Sequence, residues 1–229
     1  MNYKNIEINW LGHAGFKIKT VEGKVIFIDP FKIPDESESA DFIFITHSHY
    51  DHCSIDDIQK IAKTGTVVIC PADVSSKLTH ILAKIDIKIA EIGEKFEFEL
   101  ENKKKLKFWV VPAYNTNKSF HTREEDWVGY IISIDDVLIY HAGDTDLIPE
   151  MKTFSTANID VALLPIGGTY TMNAGEAARA ASIIKPKLAI PMHWGTLKGI
   201  GERKDAELFL KHCSAEGVSA KILEIENNK

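Results

Sequence analysis

The chain has 229 residues, 45% hydrophobic and 26% charged, with a formal net charge of −6: a globular composition, long enough to bury a core of its own. The acidic balance argues against general nucleic-acid binding, which wants a basic excess, and no apolar run reaches the length that crosses a bilayer. Three cysteines, Cys53, Cys70 and Cys213, make no disulfide framework, and together with the lack of a signal-peptide pattern they lead us to expect a cytoplasmic protein.

In chain order, Ile6–Leu11 alternates as a strand, Gly12–Gly15 turns, Phe16–Lys19 resumes the alternation and Glu22-Gly23 turns again. Val25–Ile28 is continuously apolar, as in a strand covered on both faces, and ends at Asp29-Pro30. Lys32–Ala40 is polar and reads as a loop. Asp41–Thr46 is a second buried strand. Ser54 is placed to cap a helix with Asp57 three residues on, and Ile55, Ile58 and Ile61 recur at helical spacing. Thr66–Cys70 is a strand stopped by Pro71, and Ala72–Lys84 is expected as a helix with Val74, Leu78, Ile81 and Leu82 on one side.

Strands then return. Glu94–Leu100 alternates, Glu101–Lys105 is a hairpin tip and Lys107–Val111 runs back. Gly129–Ser133 and Val137–Tyr140 flank the turn Asp135-Asp136. Val161–Leu164 is stopped by Pro165, Asn173–Ile184 is a helix and Leu188–Ile190 is stopped by Pro191. Lys204–Ser214 is the last helix and Ser219–Ile225 the last strand expected. The order of elements, strands followed by β-α-β material, occurs twice without sequence repetition. Two packed sheets with helices outside, over a single domain 1–229, would bury these strands.

The chemistry concentrates in His47-Ser48-His49-Tyr50-Asp51-His52, directly past a buried strand. Imidazole and carboxylate together suit Zn²⁺, Fe²⁺ or Mn²⁺. Residues two apart in an extended turn can point the same way, so His47 and His49 can share one ion while Asp51 and His52 serve a second. Asp144, after the tight turn that Gly143 permits, and His193 stand past later strands and are further candidate ligands. Gly167–Met172 precedes a helix start, where backbone N–H groups could meet an anion, although a turn with a cap explains it as well. Thr116–Asp126 holds Lys118, His121 and Arg123 and is a candidate lid, Trp127 reads as core, and Lys198–Lys204 is either a positive rim or a solvated loop.

These residues resemble the metallo-β-lactamase superfamily. Thr46–His52, Gly143-Asp144-Thr145 and Pro191-Met192-His193 carry the resemblance. Trp10–Phe16, Ile28-Asp29-Pro30, Tyr140–Thr145 and Leu164–Gly167 make it closest to the UPF0173-type metal-dependent hydrolases, relatives of ascorbate-6-phosphate lactonases and N-acyl-phosphatidylethanolamine phospholipases. The resemblance implies an α/β fold, a four-layer αββα sandwich, and a binuclear centre of two divalent ions: Zn²⁺ first, with Mn²⁺ or Fe²⁺ as alternatives. It implies His47 and His49 on one ion, Asp51, His52 and His193 on the other, and Asp144 bridging both. The first ion usually takes a third histidine where this chain has Asn115. His121 is the favoured replacement. His141 is a second candidate, although relatives with the usual ligand also carry histidine there, and Asn115 itself a third.

The implied activity is attack of a metal-activated hydroxide on an ester, lactone, amide or phosphodiester. Asp51 would orient the nucleophile, and His13 and His141 are candidates to touch a substrate oxyanion. His13 could instead be a buried partner of a ligand or of Asp29, and Asp29 is expected to brace the metal loop. The expected partner is a small-molecule substrate, an anionic one among the candidates, and the lid would select it. A nuclease-type phosphodiesterase, a non-haem iron redox protein and a non-enzymatic metal-binding protein are the competing readings. Oligomeric state is not legible.

Overall fold

The structure, a computed structural model, describes residues 1–100 and 103–225. The chain divides into two compact units, Met1–Glu91 with Glu224 and Ile225, and Ile92–Leu223.

Unit 1 is a seven-stranded mixed sheet. Its strands are β1 (Asn2–Tyr3), β2 (Ile6–Gly12), β3 (Gly15–Thr20), β4 (Val25–Ile28), β5 (Phe42–Phe44), β6 (Val67–Cys70) and β7 (Asp86–Ile89), neighbours in chain order. β1 to β4 pair antiparallel, β4 to β7 parallel. The switch follows from the connections: turns of a few residues join the early strands, while α1 (Ile55–Ile61) and α2 (Ala72–Lys77) lie between the later ones. The core on the helical side joins Phe27, Ile43 and Val68 of the sheet to Ile58, Ile61, Val74 and Leu78. The unbroken apolar runs of β4 and β5 are buried at every position, as expected of strands covered on both faces. Ser54 caps α1 by accepting from Asp57 N.

The helix expected over Ala72–Lys84 stops at Lys77, and one 3₁₀ turn, Leu78–His80, follows. Ser75, Ser76 and Thr79 hydroxyls donate to carbonyls three residues back, at Ala72, Asp73 and Ser76, competing with the helical ladder. Ile81 turns extended, so Leu82, expected on the apolar side, is exposed.

Unit 2 is a six-stranded mixed sheet of β8 (Lys95–Glu99), β9 (Lys105–Pro112), β10 (Val128–Ile134), β11 (Val137–His141), β12 (Val161–Pro165) and β13 (Leu188–Met192). β8 to β11 pair antiparallel and β11 to β13 parallel, repeating the order of unit 1. Part of the tip expected at Glu101–Lys105 lies outside the described residues. A 3₁₀ helix, Pro149–Thr156, connects β11 to β12, and α3 (Ala174–Ile184) connects β12 to β13. Small residues Ala177, Ala178, Ala180 and Ala181 are buried on α3, which packs against α4 (Arg203–Ala215). The last strand expected, Ser219–Ile225, is instead an extended segment with two isolated bridges, Ala220 to Ala189 and Ile225 to Trp10. Its two ends pair with different sheets, so no continuous ladder forms. Both units are thus mixed sheets flanked by helices, an α/β fold of the kind the sequence led us to expect. No helix among the described residues is long and apolar enough to cross a membrane.

Candidate metal centre

Unit 1 builds its donors from one loop and one brace. Asp29 leaves the end of β4 at φ 44° and is fully buried. Its Oδ1 accepts from Thr46 N at 2.8 Å, and its Oδ2 accepts from Thr46 Oγ1 at 2.6 Å and from His52 Nδ1 at 2.7 Å. With Asp29 Oδ2 as the acceptor, we assign the His52 proton to Nδ1, which leaves the Nε2 lone pair for a metal. Thr46 Oγ1 spends its hydrogen on Asp29, so it accepts from His47 Nδ1 at 2.9 Å, and His47 is locked in the same tautomer. One carboxylate therefore prepares two imidazoles. The donor atoms of Asp29, His47 and His52 lie within 4.8 Å of one another. We read this trio as the bracing network and the two Nε2 atoms as the ligands it presents.

The loop closes on itself. His52 N and Cys53 N both donate to His49 O, which turns the chain back and gathers the rings. The centroids of His47 lie 4.9 Å from those of His49 and 4.0 Å from His52. Three imidazoles this close would repel one another if protonated, and two of them are buried. A divalent cation offsets both costs. The helix behind is tied down through Asp57, which accepts from Lys32 N, Ile33 N and Ser54 Oγ.

His13, at φ 51° and fully buried, places Nε2 2.9 Å from Asp51 Oδ2. Of the readings open for His13, contact with the expected ligand Asp51 is the one this geometry displays, and Asp29 is engaged elsewhere.

Unit 2 assembles its donors from separate strand ends. Asp144 follows β11 through Gly143 at φ 64°. Its Oδ2 lies 3.0 Å from Nε2 of His193, past β13, and 3.3 Å from Nε2 of His121. Ligands about 2.0–2.1 Å from a tetrahedral zinc stand about 3.3 Å apart, so these separations suit a shared cation. His193 sits at φ 61° and needs Gly167 beside it, because a Cβ there would fall 2.6 Å from His193 Nδ1. His121 packs edge-to-face on buried Trp127, at 5.3 Å between centroids.

Of the three candidates for the missing donor, His121 has Nε2 3.3 Å from Asp144 Oδ2. Asn115 donates its amide hydrogens to Phe120 O at 2.8 Å and Tyr170 O at 2.7 Å, while its buried Oδ1 accepts no hydrogen bond and keeps a lone pair that a metal could take. His141 is buried in β11, and its Nδ1 accepts from Gly143 N at 3.2 Å, shaping the turn before Asp144.

Neighbouring side chains support this side, among them Asp146 and Glu150, which no sequence motif marks. Thr145 Oγ1 accepts from Tyr114 N and lies 3.0 Å from Tyr114 O. Asp146 accepts from Thr116 N and pairs with Lys118, which also donates to Thr171 O. Arg123 pairs with Glu150 at 3.3 Å and lies over Tyr114. Lys118 and Arg123, expected as cations of a lid, thus hold the segment in place. The turn at Gly167–Met172 leads to a completed cap. Asn173 Oδ1 accepts from Gly175 N and Glu176 N, and Glu176 accepts from Asn173 N, so these N–H groups of the helix start are satisfied by its own side chains, as the turn-with-cap alternative has it. At the expected rim Lys204 lies in the first turn of α4 and pairs with Glu202, the residue that caps it.

Residues 7–193 match the family described as the Beta-lactamase superfamily domain. The UPF0173 metal-dependent hydrolase of Pyrococcus furiosus is 36% identical over 90% of this chain and 91% of its own length. That of Thermococcus onnurineus is 37% identical with the same coverage. Among solved structures, a homologue from Parabacteroides distasonis is 30% identical at TM-score 0.81, covering 96% of this chain and 94% of its own. Igni18, a metallo hydrolase of Ignicoccus hospitalis, is 27% identical at TM-score 0.77, covering 97% and 96%. With matches of this identity over nearly the whole length, the chain belongs to the metallo-β-lactamase superfamily, in its UPF0173-like branch.

Proposed function

We propose that this protein is a metal-dependent hydrolase acting on an ester, lactone, amide or phosphodiester, its whole length working as one catalytic domain. The observation that carries the reading is the Asp29–Thr46 brace, which fixes the tautomers of His47 and His52 so that both present Nε2. A solvated histidine loop has no need of a buried carboxylate behind it. His47, His49, Asp51 and His52 in unit 1 and His121, Asp144 and His193 in unit 2 are the proposed ligands of two divalent ions, Zn²⁺ first. Bound divalent ions would lower the pKa of water to near neutrality and polarise the substrate oxygen.

The side chains supply the rest. Asp51 orients the attacking water and can pass its proton to the leaving group. His13, 2.9 Å from Asp51, fixes the rotation of that carboxylate and can share its proton. His141, through its bond from Gly143 N, sets the turn that aims Asp144. The relatives named as metal-dependent hydrolases support this reading.

The test is elemental analysis of the purified protein, followed by assays on bis-p-nitrophenyl phosphate and simple lactones after loading with Zn²⁺, Mn²⁺ or Fe²⁺. Stoichiometric metal and turnover of either substrate class are expected. No metal and no turnover after loading would reject the enzyme.

A further inference from the structure

We infer that the part of the substrate received beside His121 is an uncharged alkyl or aryl group, and that Phe120 and Tyr170 form the wall that selects it. The inference rests on the hydrolase reading and adds the class of substrate.

Phe120 immediately precedes His121 and is 48% exposed, unusual for a large apolar ring. It is not a loose tip. Its ring meets that of Tyr170 edge-to-face, with centroids 4.9 Å apart and planes at 82°. The backbones of both are held by one buried amide, since Asn115 Nδ2 donates to Phe120 O and to Tyr170 O. The neck of the segment is closed by Asn115 N donating to His121 O at 2.7 Å. A half-exposed aromatic pair fixed from behind is an apolar surface ready to be covered, and it adjoins a proposed ligand.

Charge decides what covers it. Lys118 is committed to Asp146 and Thr171 O, and Arg123 to Glu150. The two rings carry no charge and the nearby lysine and arginine already face Asp146 and Glu150, so a charged group of the substrate is met at the proposed ions rather than at this wall. An alkyl or aryl group gains about 25 cal/mol for each Å² it buries.

The experiment compares the metal-loaded protein on p-nitrophenyl hexanoate and on the mono-p-nitrophenyl ester of glutaric acid, which present a neutral and an anionic acyl chain. We expect kcat/KM about tenfold higher for the neutral ester, the scale on which apolar pockets discriminate. Phe120→Ala should raise KM for the neutral ester at least about fivefold more than for the anionic one, and Phe120→Leu should restore most of the difference. In a second arm the neutral fluorophore N-phenyl-1-naphthylamine is titrated into wild type, Phe120→Ala and Phe120→Leu at matched circular-dichroism signal. Tight binding to wild type and Phe120→Leu but not to Phe120→Ala supports the wall. Preference for the anionic ester, or equal dye binding by all three proteins, overturns it. If neither ester is cleaved, the hydrolase reading is still judged by bis-p-nitrophenyl phosphate and the lactones, and the dye arm alone decides whether this surface takes an apolar group, equal binding by all three proteins overturning the wall.

Discussion

The two units reach the same end by different economies. Unit 1 offers four candidate ligands within six consecutive residues and braces two of them with a single carboxylate, Asp29. Unit 2 offers three, each from a different connection, and each has its own support: Gly167 beside His193, the Gly143 turn before Asp144, Trp127 under His121. A shared brace makes unit 1 vulnerable at one residue. Separate supports divide the risk in unit 2, so a lesion there should disturb one ligand at a time.

The largest expected effect therefore belongs to Asp29→Asn. Asparagine keeps the shape but presents one acceptor and one donor where the native group accepts three times. An amide facing His52 Nδ1 with its NH₂ forces the imidazole proton to Nε2 and removes the lone pair offered to a metal. We expect metal affinity to fall about 10–100-fold, the usual range for a residue that orients a ligand. Stability should fall by about 3 kcal/mol, because charge-assisted bonds are lost from a buried network. Isothermal titration with Zn²⁺ and urea unfolding measure the two. An affinity within twofold of wild type would remove the brace from the argument.

Gly167→Ala tests the other side of the comparison. The new methyl must displace His193 or its own backbone, at a cost of about 1–3 kcal/mol for overpacking. The cost falls on one ligand, so we expect a smaller loss of metal affinity than for Asp29→Asn. The cobalt-loaded protein gives a second readout, since loss of one imidazole changes its visible absorption. A loss equal to that of Asp29→Asn would mean that unit 2 is as interdependent as unit 1.

The same contrast explains what was legible in the sequence. Residues 47–52 announce themselves because their donors are contiguous. The cap at Ser54 is equally local and stands where the pattern puts it, whereas Asn173, expected as the first residue of its helix, is the cap. Most strands of both sheets follow from apolar or alternating runs bounded by turns and prolines, but β1 and β7, short and partly exposed, were not expected. What was not legible depends on contacts between distant positions. Nothing around Gly167 shows that a histidine 26 residues later will press against it. Lys118 reads as a free cation until Asp146 is seen beside it. The helix expected to reach Lys84 failed because apolar periodicity outweighed the hydroxyls of Ser75, Ser76 and Thr79 in the reading, and in the chain the hydroxyls win.

Removal of metal should affect both units through mass action. An ion bound only by the folded state stabilises it by RT ln(1 + [L]/Kd), about 2.7 kcal/mol at one hundred times Kd. Chelation should lower the thermal midpoint, and added Zn²⁺ should restore it. In Asp29→Asn the same chelator should shift the midpoint much less than in wild type, because less metal remains to be lost. An equal shift in the two proteins would contradict the ligand role given to the braced histidines.

The smallest effect separates the units by their thiols. Burial pushes Cys70 in unit 1 and Cys213 in unit 2 up to about 12. Because these pKa values are raised on folding, the thiols keep their protons at pH 8, and the stability they contribute is lost only as pH rises from about 9 toward 12. Native protein at pH 8 should therefore resist a disulfide reagent at both positions. In urea below the main transition the two should diverge. Cys70 closes β6, held by hydrogen bonds between β5 and β7, and exposing it requires opening a sheet. Cys213 lies in the last turn of α4, where a helix end can open alone. Mass spectrometry after pulse labelling should find Cys213 modified first, by a factor of several. Modification of Cys70 before Cys213 would show that the sheet carrying the metal loop opens more readily than the outer helix of unit 2, and that the shared brace at Asp29 leaves unit 1 locally weak even with its histidines in place.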